Sequence, residues 1–308
     1  MARLPAWAGE SLGRGLGRLA YRLGWRRTVV EEQLARAFPE RDEAWVDATA
    51  RACFDHVGRE WLSVPYVTRR GLDEVRRRVD MSGAADTARR AYGEGRGVVV
   101  VSGHFGNWEL AGSVLPALGF PTDAVMQGIK NEPLDRFVRQ IRRRNGMGLI
   151  DRARAWDVLV AQIAAGRMVA FVADQDAREN GVFVPFFGRP ASTHRAPALL
   201  ALRTGAPMLV GGVHRTGHRE YRLWLVRIEP PTTGDVKNKV KEMTTSWVAE
   251  LERWVRLYPE QYFWHHKRWK SVPPGTGPAA TGRNMGEAVT GRAGARRQGD
   301  GSAYTVEL

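Results

Sequence analysis

The sequence predicts an α/β sandwich with a mixed, mostly parallel sheet, preceded by an N-terminal helical region. Three observations carry this. Short β-branched runs such as Val98-Val99-Val100-Val101 alternate with stretches of helical periodicity. That run is apolar at every position, as expected of a strand buried on both faces. The residues before about 65 repeat their apolar side chains at helical spacing only.

In chain order, Leu12, Leu16, Leu19, Ala20 and Leu23 share one helical face, and Arg14, Arg18, Arg22 and Arg26 form a stripe on the other side. Trp7, Tyr21 and Trp25 flank it, which is the pattern of a helix lying on an anionic membrane. Packing against the domain is the alternative, and Gly13, Gly15 and Gly17 weaken any helix there. Residues 29–62 read as two helices around Phe38-Pro39-Glu40-Arg41, with Cys53 a small buried apolar residue in the second.

Strands follow at 98–101, 122–126, 168–173, 181–187, 207–213 and 221–228. Helices lie at 108–118, around Leu134, Phe137, Val138 and Ile141, from Trp156 to a stop at Gly166, at 196–203 before Gly205, and at 235–257. The chain divides into a membrane-contact helix over 1–28, a main α/β domain over 29–270 and a disordered tail over 271–308 rich in Gly, Ala, Pro and Thr.

Composition narrows the function classes. An apolar share of 43% excludes a disordered chain, and a single Cys excludes a disulfide framework or a Cys-based zinc site. No run reaches the roughly 18 apolar residues of a spanning helix. The formal charge is +14, and Arg supplies 41 of the 47 basic residues. Arg makes planar, bidentate contacts with phosphate and carboxylate, so an anionic partner is expected. The tail contributes only +1 of this charge, so the basicity belongs to the folded body.

The chemistry concentrates in Ser102-Gly103-His104-Phe105-Gly106-Asn107-Trp108-Glu109. This segment leaves the carboxyl end of a buried strand, where α/β sheets bind ligands. An imidazole with a carboxylate nearby can take a proton from a hydroxyl. The segment resembles the His-x4-acid motif of glycerolipid-type acyltransferases, and its flanks are similar to the bacterial lipid A late acyltransferases.

Companion blocks extend that resemblance over about 30–270. They are Leu34-Ala35-Arg36-Ala37-Phe38-Pro39-Glu40, Asn131-Glu132-Pro133-Leu134-Asp135-Arg136, Ile150-Asp151-Arg152, Asp174-Gln175-Asp176 followed by 182–188, and Pro259-Glu260-Gln261-Tyr262-Phe263-Trp264 followed by Lys267-Arg268-Trp269-Lys270. The resemblance implies a glycerolipid-acyltransferase-like fold and transfer of an acyl chain from an acyl carrier protein thioester to a hydroxyl of a lipid A precursor. Coenzyme A stays open as the donor carrier.

In that reading His104 is the general base and Glu109 its partner. Arg144, Asn131, Asp174, Gln175 and Asp176 contribute to substrate binding, with Asp174 also a possible hydrogen-bond partner in the site. The register of Arg144 against Arg142 and Arg143 stays open. No metal and no cofactor is required. There is no Gly-x-Ser-x-Gly elbow, and the direct attack that the resemblance implies, without a covalent enzyme intermediate, is the simpler expectation.

The expected location is the cytoplasmic face of the inner membrane, peripheral or monotopic, on an anionic surface. Two departures from the family pattern stand out. The N-terminal apolar segment is interrupted by Arg and Gly, and Glu132 separates an Asn and a Pro that are adjacent in the usual block. The second keeps open another glycolipid or a lysophospholipid as acceptor. A non-enzymatic binder of anionic membrane or nucleic acid is the reading from a different class, but no nucleic-acid motif is present.

Overall fold

The first helix, α1 (Ala6–Arg22), docks through its glycines. It lies along α3 (Glu43–Arg70), with α2 (Arg27–Ala37) between them in sequence. A methyl group on Gly13 or Gly17 would strike the backbone carbonyls of Gly58 and Phe54, and one on Gly58 would strike the carbonyl of Gly13. The two backbones therefore touch with no side chain between them. Gly13 and Gly17, which lower helix propensity, are the packing face of α1.

The arginine stripe is partly engaged as well. Arg18 donates to Asp55 of α3 through Nε at 3.1 Å and Nη2 at 2.9 Å, and Arg14 lies 3.6 Å from the same carboxylate. The leucines point outward: Leu12, Leu16, Leu19 and Leu23 are 43%, 47%, 50% and 75% exposed. The side chain of Trp7 is outside the described ones.

The computed structural model describes residues 6–152 and 155–275. After α3, capped by Asp42 accepting from the Trp45 amide, come α4 (Leu72–Arg78), β1 (Val79–Asp80), α5 (Ser82–Gly93), β2 (Val98–Ser102), α6 (Trp108–Ala117), β3 (Thr122–Met126) and α7 (Glu132–Arg144). Then follow β4 (Met147–Asp151), α8 (Ala155–Ala164), β5 (Met168–Val172), β6 (Val182–Phe186), β7 (Arg189–Thr193), α9 (Ala196–Thr204), β8 (Met208–Arg215), β9 (Tyr221–Ile228) and α10 (Val236–Leu257). Cys53 is fully buried in α3. From residue 276 onward the expected tail lies outside the described residues.

Seven strands form one sheet in the order β1-β9-β8-β2-β5-β3-β4. All its neighbouring pairs are parallel except β8 with β9, as the mixed, mostly parallel expectation requires. The valines of β2 are 0–7% exposed at the centre of the sheet. β6 does not join this sheet; it pairs antiparallel with β7 as a separate hairpin. Periodicity did not reveal β1, β4 or β7. β1 has two residues, β4 is interrupted by Gly148 at the sheet edge, and β7 contains Pro190.

No helix among the described residues is long and apolar enough to cross a membrane. Gly58→Val should lower stability by about 1–3 kcal/mol through overpacking of the α1–α3 contact. Denaturant midpoints would measure this, and amides of α1 should lose hydrogen-exchange protection first.

Candidate active site

β2 and β5 are parallel neighbours in register, with Ser102 opposite Val172. His104 and Asp174 are each two residues beyond that pair, so the turns leaving both strands bring them together. His104 Nδ1 lies 2.6 Å from Asp174 Oδ1. A carboxylate can only accept here, so Nδ1–H donates and Nε2 is left as the basic nitrogen. Asp174 is 2% exposed, whereas the His104 side chain retains 21%. The dyad thus has a dry end and an open one.

Burial alone would raise the Asp174 carboxyl. The charge of His104, hydrogen bonds from its ring and amide, and the Arg268 charge together hold it well below the usual carboxylate range. A carboxyl depressed in this way stabilises the fold above about pH 4, and that contribution is lost as pH falls further.

The turn is held tightly. Gly106 has φ 57°, and a side chain there would strike the Val213 carbonyl. Its amide donates to the Gln261 carbonyl at 2.8 Å, and the Asn107 amide donates to the Val213 carbonyl at 3.0 Å. A Cβ on Gly103 would come within 2.6 Å of Leu251 and 3.3 Å of the Asp174 carboxyl carbon. Trp108 and Phe263 set apolar rings beside the imidazole, with centroids 5.4 and 6.1 Å away.

Beneath the turn sits a buried polar group that sequence reading did not identify. Asn107 caps α6 by accepting from the Leu110 amide at 2.8 Å, and its Nδ2 donates to Glu60 at 2.7 Å. Glu60 is 3% exposed and also accepts from Arg215 Nε and the Tyr221 hydroxyl, each at 2.7 Å. His56 Nε2 meets the Gly106 carbonyl at 3.1 Å. A Glu within an apolar-periodic helix was the available signal.

Glu109 stands on the first turn of α6, but its partner is not the one expected. Arg142 of α7 grips it bidentately, Nη2 to Oε1 at 2.6 Å and Nε to Oε2 at 3.1 Å. The carboxylate bonded to His104 is Asp174, so the two acids have separate partners. This geometry also addresses the α7 register: Arg142 reaches the motif, whereas Arg144 is exposed at the helix end.

Asn131 is exposed and caps α7 by accepting from the Leu134 amide at 3.0 Å. Gln175 is half-buried beside Asp174. Asp176 accepts from the Arg178 amide at 3.2 Å and the Ser271 hydroxyl at 2.9 Å, and its own amide donates to His266 Nε2 at 3.0 Å. Asp174 and Asp176 therefore lie together beyond the end of β5, while Asn131 caps the start of α7 and Arg144 is exposed at its end.

The family described as bacterial lipid A biosynthesis acyltransferase matches residues 1–271. The chain belongs to this family. The acyltransferase is similar to the Escherichia coli K12 lipid A biosynthesis lauroyltransferase, 28% identical over 279 residues and covering 89% of each chain. It is 27% identical over 268 residues to the palmitoleoyltransferase of the same organism, covering 86% of this chain and 85% of that one. It also resembles the phosphatidylinositol mannoside acyltransferase of Mycobacterium tuberculosis H37Rv, 29% identical over 217 residues and 67% of each chain.

Removing one member of a buried ion pair strands the other. In the acyltransferase, Arg142→Ala should cost about 3–5 kcal/mol of stability by leaving Glu109 unpaired, whereas Arg144→Ala should stay within about 0.5 kcal/mol. Chemical denaturation of the two variants side by side measures the difference.

Proposed function

We propose that the acyltransferase moves a fatty acyl chain from an acyl carrier protein thioester to a hydroxyl of a lipid A precursor, with His104 as general base. The His104–Asp174 pair at the carboxyl end of the sheet carries this reading. Nε2 takes the acceptor's hydroxyl proton while Asp174 steadies the imidazolium through Nδ1. The acceptor oxygen attacks the thioester carbonyl, a C–O ester bond forms and the C–S bond breaks. The imidazolium returns its proton to the departing thiolate.

Glu109 acts through Arg142, fixing the first turn of α6 against α7 and holding a cation beside the site. Arg144, Asn131, Gln175 and Asp176 border the substrate path in this reading. A phosphatidylinositol mannoside or a related glycolipid is the second acceptor reading. The mycobacterial relatives and Glu132 inside the Asn131–Pro133 block favour it.

The same proposal sets the enzyme on the cytoplasmic face of the inner membrane, with residues 1–28 as the contact helix, 29–270 as the catalytic domain and the remainder as a tail. The outward leucines of α1 support it, because an exposed apolar strip needs a cover.

His104→Ala should lower acyl transfer from lauroyl-acyl carrier protein about 10²–10⁴-fold with folding retained. Activity equal to wild type would remove the mechanism. A tetra-acylated lipid A precursor and phosphatidylinositol mannoside, offered separately, discriminate the acceptors by mass spectrometry of the product. The double change Leu16→Glu and Leu19→Glu should cut co-sedimentation with anionic vesicles about tenfold or more, while circular dichroism stays unchanged.

A further inference from the structure

Helix α7 turns an unpartnered face to solvent beside the site. Its inner side is fixed by Val138 and Ile141, 3% and 6% exposed, by Arg142 on Glu109, and by Arg139, whose Nη2 donates to Asp151 at 2.8 Å. Its start is held as well, since Asp135 accepts from the Ile129 amide at 2.9 Å beside the Asn131 cap. On the outer side Leu134 and Phe137 are 40% and 43% exposed, although both are large and apolar. They are three residues apart and therefore adjacent. Arg136, Arg143 and Arg144 of the same helix, and Lys130 just before it, are exposed too, and none of the four pairs with a carboxylate among the described residues. Arg136 and Arg143, seven residues apart, share one side of the helix, as Phe137 and Arg144 do.

We propose that this outer face of α7 is the docking surface for the acyl carrier protein, an acidic partner, with Leu134 and Phe137 as the apolar centre and Arg136, Arg143 and Arg144 as a cationic rim. This rests on the reading of a carrier-protein thioester as the donor, and it adds where that donor lands. A small apolar centre inside a polar rim is the anatomy of a protein–protein contact. Arginines suit the rim because each can hold a carboxylate through two nitrogens, and unpaired ones steer an acidic partner inward before contact. A face already fixed on its inner side loses little freedom on binding.

The place fits a donor whose thioester must reach His104. β3 runs parallel to β5, so the chain entering α7 leaves the sheet at the end where Asp174 lies. Phe137 is five residues from Arg142, about 7.5 Å along the helix axis, and Arg142 holds Glu109 of the motif. Two other surfaces fit less well. Lys237, Lys239 and Lys241 open α10, but the part of that helix against the motif is Leu251, which a Cβ on Gly103 would approach within 2.6 Å. Fourteen residues, about 21 Å of helix axis, separate Lys237 from Leu251. The bilayer strip of α1 lies elsewhere. Gly17 faces Phe54 of α3, whereas the end of α7 meets α3 at Thr68, whose Oγ1 accepts from Asn145 Nδ2 at 3.4 Å. Phe54 and Thr68 are again fourteen residues apart, about 21 Å along α3. The two outward apolar side chains of α7 also offer a bilayer less than the four leucines of α1 do.

The test compares wild type with the double change Arg136→Glu and Arg143→Glu, with Phe137→Ala, and with the double change Lys237→Glu and Lys239→Glu as a control. All leave Val138, Ile141 and Arg142 in place. Initial rates are taken with lauroyl-acyl carrier protein and a lipid A precursor in detergent micelles, over a range of ionic strength. The double arginine variant should raise KM for the carrier protein about tenfold or more with kcat within about twofold. Phe137→Ala should raise the same KM about fivefold or more. In wild type this KM should climb with added salt, and in the arginine variant the climb should flatten. The lysine control should keep wild-type constants.

An unmoved KM and salt dependence in the arginine variant overturn the proposal. So does an equal rise in the lysine control, which would make the effect one of net charge. Lost co-sedimentation with anionic vesicles at an unmoved KM would assign the face to the bilayer and overturn it too. If the double arginine variant does not fold, Phe137→Ala decides, and a wild-type KM there overturns the proposal. Wild type that acylates the precursor from lauroyl-coenzyme A and not from the carrier protein sinks the donor reading beneath, whereas carrier-dependent wild type beside unmoved variants sinks this inference alone.

Discussion

Because β2 and β5 run parallel with Ser102 opposite Val172, two chain exits lie side by side at one end of the sheet. That register makes His104 and Asp174 neighbours although 70 residues separate them. A slip of one residue would turn one of the two side chains to the other face of the sheet. The valines of β2, buried on both faces, hold the register, since any shift would have to repack layers above and below the sheet. The turn beyond β2 is then fastened by Val213 of the neighbouring β8, by Gln261 and by the Glu60 group.

The buried acids around this end are sorted by partner. Asp174 faces His104, Glu109 faces Arg142, and Glu60 faces Arg215, Tyr221 and Asn107. Each sits where an unpaired carboxylate would be expensive, and each has a donor fixed by a different element. Such sorting keeps one acid available to the imidazole and commits the others to geometry. It explains how a motif of eight residues holds its shape beside an open face.

Much of this was legible in the sequence, and the boundary of legibility has physical reasons. The strand at 122–126 and the helix at 236–257 announce themselves by local periodicity. The place of His104 at the exit of a buried strand was legible from the four valines before it and the glycines around it, and Asp174 was recognised as a hydrogen-bond candidate at another strand end. The pairing of Glu109 was not legible. Sequence proximity to His104 suggested a bond, but the arginine that takes this acid comes from a helix 33 residues away. Among Arg142, Arg143 and Arg144 only the rotation of α7 against α6 selects the first, and one strand of text does not contain that rotation. Glu60 was silent for the same reason, since its partners come from three separate segments.

The α1–α3 contact divides one helix into two regimes of mutational tolerance. At positions 13 and 17, as at position 58 opposite them on α3, the neighbour is a backbone carbonyl, which cannot step aside, so the permitted alphabet shrinks to a single letter. At positions 12, 16, 19 and 23 the side chain is 43–75% exposed and no packed neighbour fixes its shape. A library randomised across this helix and selected for folding would therefore return tall glycine columns at positions 13 and 17, four residues apart, beside low, mixed columns at the exposed positions. The least reactive residue type in the chain would look, by that measure, as restricted as the histidine.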